Sequence, residues 1–507
     1  MATVATQIET QHPEYVEKNP DWILIEDGHE GERKIKQRTT VYLPTTSGQR
    51  ALGLGKTGNV SNEGQALYDA YITRANYPPI LKDTANALVG IMNREPPVIE
   101  LPTALEDMEK HATARGEPLT NLIRRLQLRQ LLFGRTGILA DVDASRNMPY
   151  LVDYTARQII NWDDEITEPE TAQRKTTLTV LDESRNVRDD FTWEFTNKFR
   201  VLELSDGGQY QATIEDDGVK LDPIVPSIQG RTLDVIPFVF INDADLTPEL
   251  GDIPLIGLAR LALTIYRGDA DYRQALFMQG QDTLVIIGET IDPDDPDQKL
   301  IVGSGAHINI PNAEGDAKFI GTESEGIPEM RTAADNDFDR ASSYGLQLLS
   351  KGAGAEAAET LKIKVAARTA TLVNIAETSA AGLEAILRIS AEWVGANPDE
   401  VKVEPNTDFI DEAMPAAELL GLMNAKSRGA PLSVRSIHAQ MRKGDLTALT
   451  FDEEQAEIES EPAPDDRTLL GEPDGDDDGT GNLPPGFGQD AGNQDDDDDD
   501  DGDGDED

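Results

Sequence analysis

Cysteine is absent from the sequence, which removes disulfides, thiolate nucleophiles and cysteine-ligated zinc at once. Histidine is nearly as scarce, and five scattered residues make no His-based metal cluster, so no cofactor or metal is expected. No run of eighteen or more apolar residues occurs. The opening MATVATQIETQHPEYVEKNPD also lacks the basic-then-apolar order of a secretion signal, so the chain is expected to stay in the cytosol or be packaged from it, with no membrane partner. Basic charge is the other shortage: 45 Lys and Arg stand against 95 Asp and Glu, for a formal net charge of −50. Proteins that grip DNA do so by letting Lys and Arg displace counterions from phosphate, and this chain has the wrong sign for that mode. A DNA partner would have to be one the protein is built not to hold.

What is present is ample for folding. A chain of 507 residues with 38% apolar side chains can fill the cores of two to four domains. The acidity is uneven: between Asp465 and Asp507, 19 Asp and Glu face the single Arg467, so −18 belongs to this stretch and −32 to the rest. Past Pro462 the composition turns to Asp, Gly, Pro and Asn, with too little apolar surface to offset the entropy of ordering, and residues 463–507 read as a disordered acidic tail.

The first forty residues are polar and lack a clear period, which suggests an N-terminal arm or an irregular packing segment over 1–40. A helical section follows. NEGQALYDAYITRANYP sets Ala66, Tyr68, Tyr71, Ile72 and Ala75 at mixed three- and four-residue spacing and is ended by Pro78 and Pro79. ILKDTANALVGIMN repeats the pattern, and PLTNLIRRLQLRQLLFG gives a third helix closed by Gly134. From Gly137 the period becomes that of strands: GILADVD, PYLVDYTARQIINW, KTTLTVLDE, FTWEFTNKFRVLELSD, QYQATIED and VIPFVFIND are separated by turn residues such as Asp206-Gly207-Gly208. Because these strands come in a run without helices between them, 41–250 reads as an α+β domain rather than a parallel βαβ fold. Trp162, Trp193 and Trp393 fall within expected elements and read as core or interface residues rather than ligand platforms.

Three long helices organise the remainder. The first, from about Pro254 to Met278 within 251–280, is roughly 37 Å long, with Pro254 suited to its first turn and Gly280 to its stop. A β-rich insertion over 281–324 carries TLVIIG, KLIVGSG, AHINIP and AKFIG. The second helix, within 325–350, starts at Pro328 and sets Met330, Ala334, Phe338, Ala341, Tyr344 and Leu348 on one stripe. KGAGAEAAE, over 351–359, has two glycines, four alanines and no bulky side chain. The third helix, within 360–396, runs from about Thr360 to Val394 and spans around 50 Å. Over 397–462 a small helical region follows, in which Ser433 caps VRSIHAQMRKG and Thr450 with Glu453 forms a capping box for FDEEQAEIES.

Enzymatic readings find little purchase. LGLGKTG at Leu52–Gly58 resembles a phosphate loop, but Arg50 occupies the position of the first glycine and no apolar strand precedes it. The Asp-rich stretches 292–297 and 474–478 lack the apolar support a nuclease metal site needs, and no EF-hand spacing occurs.

The order of an α+β domain, a long helix, a β insertion, a second long helix, a small-residue loop, a longer helix and a helical cap resembles the portal, or head-tail connector, proteins of tailed bacteriophages. Local sequence carries the same resemblance. VYLP at Val41–Pro44, YITRANYPP at Tyr71–Pro79, LVGIMNREPPVIELP at Leu88–Pro102, GRTGILADVDASRNMPYLVDYTARQIINW at Gly134–Trp162 and LALTIYRGDADYRQALFMQGQDTLVIIG at Leu261–Gly288 are similar to a portal subgroup long filed only as a phage protein of unknown function. The resemblance covers about 40–460, and the short insertion departs from the larger clips of the family.

The resemblance implies a wing at 41–250, stem helices at 251–280 and 325–350, a clip at 281–324, a tunnel loop at 351–359, a long wing helix at 360–396 and a crown at 397–462. It further implies a non-enzymatic ring, usually of twelve subunits, at one capsid vertex of the virion, assembled in the host cytoplasm. Its expected partners are the major capsid protein, the terminase large subunit, a head-tail adaptor protein and double-stranded DNA passing through the channel during packaging and ejection. Another structural virion component, such as a capsid or adaptor protein, is the competing reading. On the portal reading Lys351, Gly352, Ala353, Gly354, Ala355 and Glu356 would form the channel constriction, where small residues permit close approach to DNA and glycine lets the backbone rearrange. An ordinary flexible helix connection is the alternative. Lys351, Lys362, Lys364 and Arg368 would offer exchangeable phosphate contacts, or form a plain charged helix face. An acidic channel wall would centre the duplex over a Debye length of about 8 Å, while the same acidity also serves solubility.

Overall fold

A computed structural model of the chain describes residues 7–51, 63–143, 148–168, 173–205, 207–279, 283–287, 316–320, 326–345 and 358–407 and, further on, 409, 423–424, 426, 428, 431, 433–443, 447 and 449–460. Residues 1–410 form one compact unit and 411–507 a second. The fold is α+β.

Five helices open the chain: α1 (Pro13–Glu30), α2 (Glu32–Gln37), α3 (Ser47–Ala51), α4 (Glu63–Arg74) and α5 (Ile80–Met92). The first corrects the expectation of an arm or irregular segment over 1–40. His12 caps α1 by accepting the Glu14 N–H, and Tyr15, Trp22 and Ile25 are buried in the main core. Trp22 also donates its indole N–H to the Phe133 carbonyl at 2.9 Å. The helix was hidden by Pro20 and Gly28, two poor helix residues that interrupt its pattern, and by Asp27, a wholly buried carboxylate held by Arg38 and Tyr42. After the short strand β1 (Val98–Glu100), α6 (Leu119–Phe133) buries Leu119, Leu122, Ile123 and Leu126 completely. It ends at Gly134, whose φ of 69° and closeness to the Asp252 carbonyl admit no side chain.

Ten strands follow in the order expected of an uninterrupted β run: β2 (Arg135–Asp143), β3 (Met148–Thr155), β4 (Ile159–Glu168), β5 (Gln173–Asp182), β6 (Arg185–Asp189), β7 (Thr192–Thr196), β8 (Lys198–Leu204), β9 (Tyr210–Asp216), β10 (Val219–Lys220) and β11 (Phe238–Asn242). They make a three-stranded sheet of order β11-β2-β3, a five-stranded sheet of order β10-β9-β8-β5-β4, and the separate hairpin β6-β7. Every pairing among them is antiparallel. A charged knot joins the two larger sheets: Arg200 on β8 pairs with Asp141 on β2 at 2.6 Å and with Glu183 just past β5 at 2.8 Å. Tyr154 on β3 donates to Glu183 at 2.8 Å. Burial alone would raise the Glu183 pKa, but Arg200, Tyr154 and Lys198 outweigh it and hold the carboxyl below its ordinary value.

The chain then runs through α7 (Ile256–Gln279), β12 (Thr283–Ile287), β13 (Asp316–Ile320), α8 (Gly326–Gly345) and α9 (Ala358–Val394) to β14 (Lys402–Glu404), which pairs with β1. Residues 397–407 thus pack with the first unit, although the sequence grouped them with the C-terminal helices. Leu372, Ile375, Leu383, Ile386 and Leu387 on α9 share one core with α6 and the three-stranded sheet. At Gly382 an added Cβ would lie 2.5 Å from Ile241 Cγ1, so this glycine lets α9 settle onto β11. In the second unit, α10 (Val434–Lys443) and α11 (Phe451–Ser460) carry the expected caps: Ser433 accepts the Ser436 N–H at 2.9 Å, and Thr450 and Glu453 exchange bonds at 2.8 and 3.4 Å.

Candidate functional site

The arrangement with the clearest functional geometry is the helix pair α7-α8. Helix α7 has 24 residues and α8 has 20, lengths of about 36 and 30 Å. The two pack against each other, and their inner ends are rooted in the body. Leu258, Ala259, Leu261 and Ile265 near the start of α7 are buried in the main core, as is Ala341 near the end of α8. Away from this root most of the pair is exposed, with Ile327 at the start of α8 buried and the Arg74 guanidinium 3.5 Å from the centre of the Phe277 ring. Leu276, Phe277 and Met278 on α7 and Met330 and Phe338 on α8 are exposed, and nearly every residue of α8 up to Arg340 faces solvent. The antiparallel β12-β13 ribbon, with Thr283 opposite Ile320 and Ile287 opposite Asp316, connects to the outer ends.

Polar ties brace the root. Tyr71 on α4 donates to Asp271, Arg74 donates to Gln274 at 2.9 Å, and Asp269 accepts the Asn76 N–H at 2.7 Å. Arg267 reaches the Tyr42 carbonyl at 2.7 Å, and Arg260 pairs with Asp21 of α1 at 2.8 Å. Burial first, then the hydrogen bond to Asp271, pushes the Tyr71 hydroxyl well above its ordinary value, so it remains a donor at any physiological pH. Helix α9 is fixed from the other side: Gln130 on α6 donates to Thr378 at 2.8 Å and Gln127 to Ser379 at 3.2 Å, both inside the core. Two rigidly seated helical bodies therefore flank a two-helix projection that has no core of its own.

Lys351, Gly352, Ala353, Gly354, Ala355 and Glu356 lie outside the described residues, as do the phosphate-loop-like Leu52–Gly58 and the strands expected from KLIVGSG and AHINIP. Lys362, Lys364 and Arg368 fall on the first turns of α9. The helix expected to reach Ser350 is described as far as Gly345. Of the tryptophans singled out by sequence, Trp162 and Trp393 are buried and Trp193 is exposed.

A groove of about 310 Å³ lies along α9, lined by Glu377, Ala380, Glu384, Arg388, Val403 and Pro405. Its central carboxylate is already engaged: Glu384 pairs with Arg388 at 2.7 Å and accepts the Val403 N–H at 2.9 Å. Among the described residues, no group of three or more Asp, Glu or His is placed to hold a metal ion, and no helix is long and apolar enough to cross a membrane.

A family model described as a domain of unknown function, DUF4055, matches residues 254–394. The matched stretch opens two residues before α7 and closes on the last residue of α9, so it comprises the projecting pair, its insertion and the long helix. No curated protein matches the chain. Among solved structures, a chain in the virion of the native gene transfer agent particle is similar at 14% identity and a TM-score of 0.36, over 78% of this chain and 98% of that one. A chain in the neck of the empty particle, computed with C6 symmetry, gives 14% and 0.37 over 78% and 97%. One in the neck of the native particle, computed with C12 symmetry, gives 15% and 0.38 over the same shares. Scores of this size fall below that of a shared fold.

The sequence did not reveal the root ties, because Tyr71 and Asp271 are 200 positions apart. The one available signal was the alternation of Tyr and Arg with Asp and Gln at helical spacing in YITRANYP and GDADYRQ.

Proposed function

We propose that the chain is the subunit of a portal: a non-enzymatic ring at one vertex of a phage-type capsid, through which double-stranded DNA enters and leaves. The observation that carries this reading is the α7-α8 pair, rooted by buried residues at one end and exposed along most of the rest. An isolated two-helix projection of this length gains little from propensity alone and needs lateral burial, which copies arranged around a rotation axis supply through unlike, head-to-tail contacts. The β12-β13 ribbon then forms the outer rim, where a terminase or a head-tail adaptor docks.

The charge supports a conduit rather than a clamp. A body of −32 repels a duplex at short range and lets it slide, whereas a basic wall would trap phosphate at each step. On this reading the basic residues Lys362, Lys364 and Arg368 on α9, with Lys351 preceding them in sequence, provide brief contacts with DNA. The acidic stretch after Pro462 serves either an interaction with packaged DNA or the solubility of the assembly.

Electron microscopy of the purified full-length chain tests the reading. A closed ring with a central hole wide enough for a duplex, about 20 Å, is the expected image. A monomer at all concentrations, a shell or a solid assembly would overturn it, the last two in favour of a capsid or adaptor role.

A further inference from the structure

The β6-β7 hairpin is the most unusual surface of the first unit. It leaves the five-stranded sheet between β5 and β8 through a neck closed by Glu183 N–H to the Lys198 carbonyl at 2.7 Å. Asp190 and Phe191 form its tip, with Asp190 at a φ of 50°. A two-stranded ribbon standing alone is marginal in water, and this one has no covered face: all five residues of β6 and the first four of β7 are exposed. Its apolar content is nonetheless high, with Phe191 at 90%, Trp193 at 66% and Phe195 at 67% exposure. Trp193 lies opposite Arg188 and Phe195 opposite Asn186, so one face of the hairpin carries two aromatic rings and a guanidinium and no carboxylate. Arg188 has no acidic partner among the described residues.

A second apolar strip lies on the free edge of the same sheet. Val219, Leu221, Ile224 and Val225 are exposed along the run that starts with β10 and is held to β9 by Leu221 N–H to the Ile214 carbonyl and by the Ala212-Ile224 bridge. Around it stand the exposed acids Asp216, Asp217 and Asp222, which outnumber the one exposed cation, Lys220. The two patches differ in kind, one aromatic with a cation, the other aliphatic with acids. Both are exposed on the same chain, so neither covers the other.

We infer that the aromatic face of the β6-β7 hairpin docks onto the Val219–Val225 edge of the neighbouring copy, head to tail, with Arg188 among its acids. The inference rests on the ring reading and names a contact that holds the ring. Unlike complementary patches on one molecule give heterologous association, which closes into a ring when the rotation permits. The three aromatic side chains offer on the order of 400 Å² of surface, about half of the roughly 800 Å² that each partner contributes to a stable interface. Placement of the carboxylates selects the edge strip as the recipient: Arg188 meets acids there, while a like-with-like pairing would bring guanidinium against guanidinium. An unpaired sheet edge is also a ready acceptor for an added strand.

The native chain has no cysteine, so paired single-cysteine variants report the contact directly. Full-length Trp193→Cys and Ile224→Cys chains are mixed and oxidised, with ring formation followed in parallel by mass measurement. The expected result is a cross-linked dimer in the mixture and none in either variant alone. Rings that give no cross-link overturn the docking and leave the portal reading intact, and a wild-type chain that stays monomeric overturns both. Cross-linking of Trp193→Cys with itself overturns the head-to-tail arrangement. Tryptophan emission gives a readout without substitution, because Trp22, Trp162 and Trp393 are buried and Trp193 alone is open to a soluble quencher. Its quenching falls as the chain assembles. Protection that instead requires added double-stranded DNA assigns the hairpin to nucleic acid and overturns the inference. Replacing Trp193 and Phe195 by Ser weakens association at least about 30-fold while leaving the exposed hairpin's parent sheet intact.

Discussion

Gly382 offers a decisive test of how α9 is seated. Gly382→Ala places a methyl group 2.5 Å from Ile241 Cγ1 and 2.6 Å from Cδ1, with Leu246 Cδ2 at 3.4 Å. Ordinary carbon contacts begin near 3.5 Å, so the helix or the strand must give by close to an ångström, at a cost of about 3 kcal/mol from the upper range for overpacking. Alanine is better than glycine in a helix by about 1 kcal/mol, which leaves a net loss of about 2 kcal/mol. Ile241→Ala alone opens a cavity at a buried position and costs about 3 kcal/mol. In that background the crowding atoms are gone, so adding Gly382→Ala now stabilises by about 1 kcal/mol. The sign of the Gly382→Ala effect therefore reverses between the two backgrounds, with a coupling of about 3 kcal/mol. Urea unfolding of the four chains measures it. Additive effects, or a stabilising Gly382→Ala in the wild-type background, would refute the close approach of α9 to β11 and with it the rigid seat of the long helix.

Two further outcomes follow from the charged groups. The Glu183 carboxyl is held below its ordinary value of 4.5, so its contribution is complete above that pH and is lost as the pH falls through the lower folded-state value. Glu183→Gln should cost on the order of 2 kcal/mol at pH 7, with the gap to wild type closing as the pH falls through the lowered folded-state value in unfolding titrations, and a pH-independent gap would count against the ionic knot. Reversing charge at Lys362 and Lys364 should reduce packaged DNA while rings form normally, and an unchanged genome yield would remove these residues from the channel.

Much of the architecture was legible because its signals are local. The period change at Gly137, the prolines before α5, Gly134 after α6, and the Ser433 and Thr450-Glu453 caps all act within a few residues, and the elements formed where those signals stood. The failures have equally specific causes. Helix α1 was missed because burial of Trp22 and Ile25 against distant α6 overrides Pro20 and Gly28. Strand β6, RNVRD, shows no apolar alternation, since it lies on an uncovered hairpin and its register comes from β7. The buried Arg135 reads in sequence as a surface cation. It is stacked instead between Trp162 and Phe240, at 4.0 and 4.5 Å, and burial pushes its pKa down to about 9.

By itself the sequence determined the kind and order of most elements after residue 62, the absence of cysteine chemistry and the excess of acid, because each depends only on composition or on neighbours along the chain. Tertiary structure alone decided which helix faces are left bare, that α9 lies against β11 through Gly382, and that the aromatic hairpin and the acidic aliphatic edge coexist uncovered on one molecule. Those properties depend on residues well separated in sequence coming within a few ångströms, or failing to, and no local period encodes that.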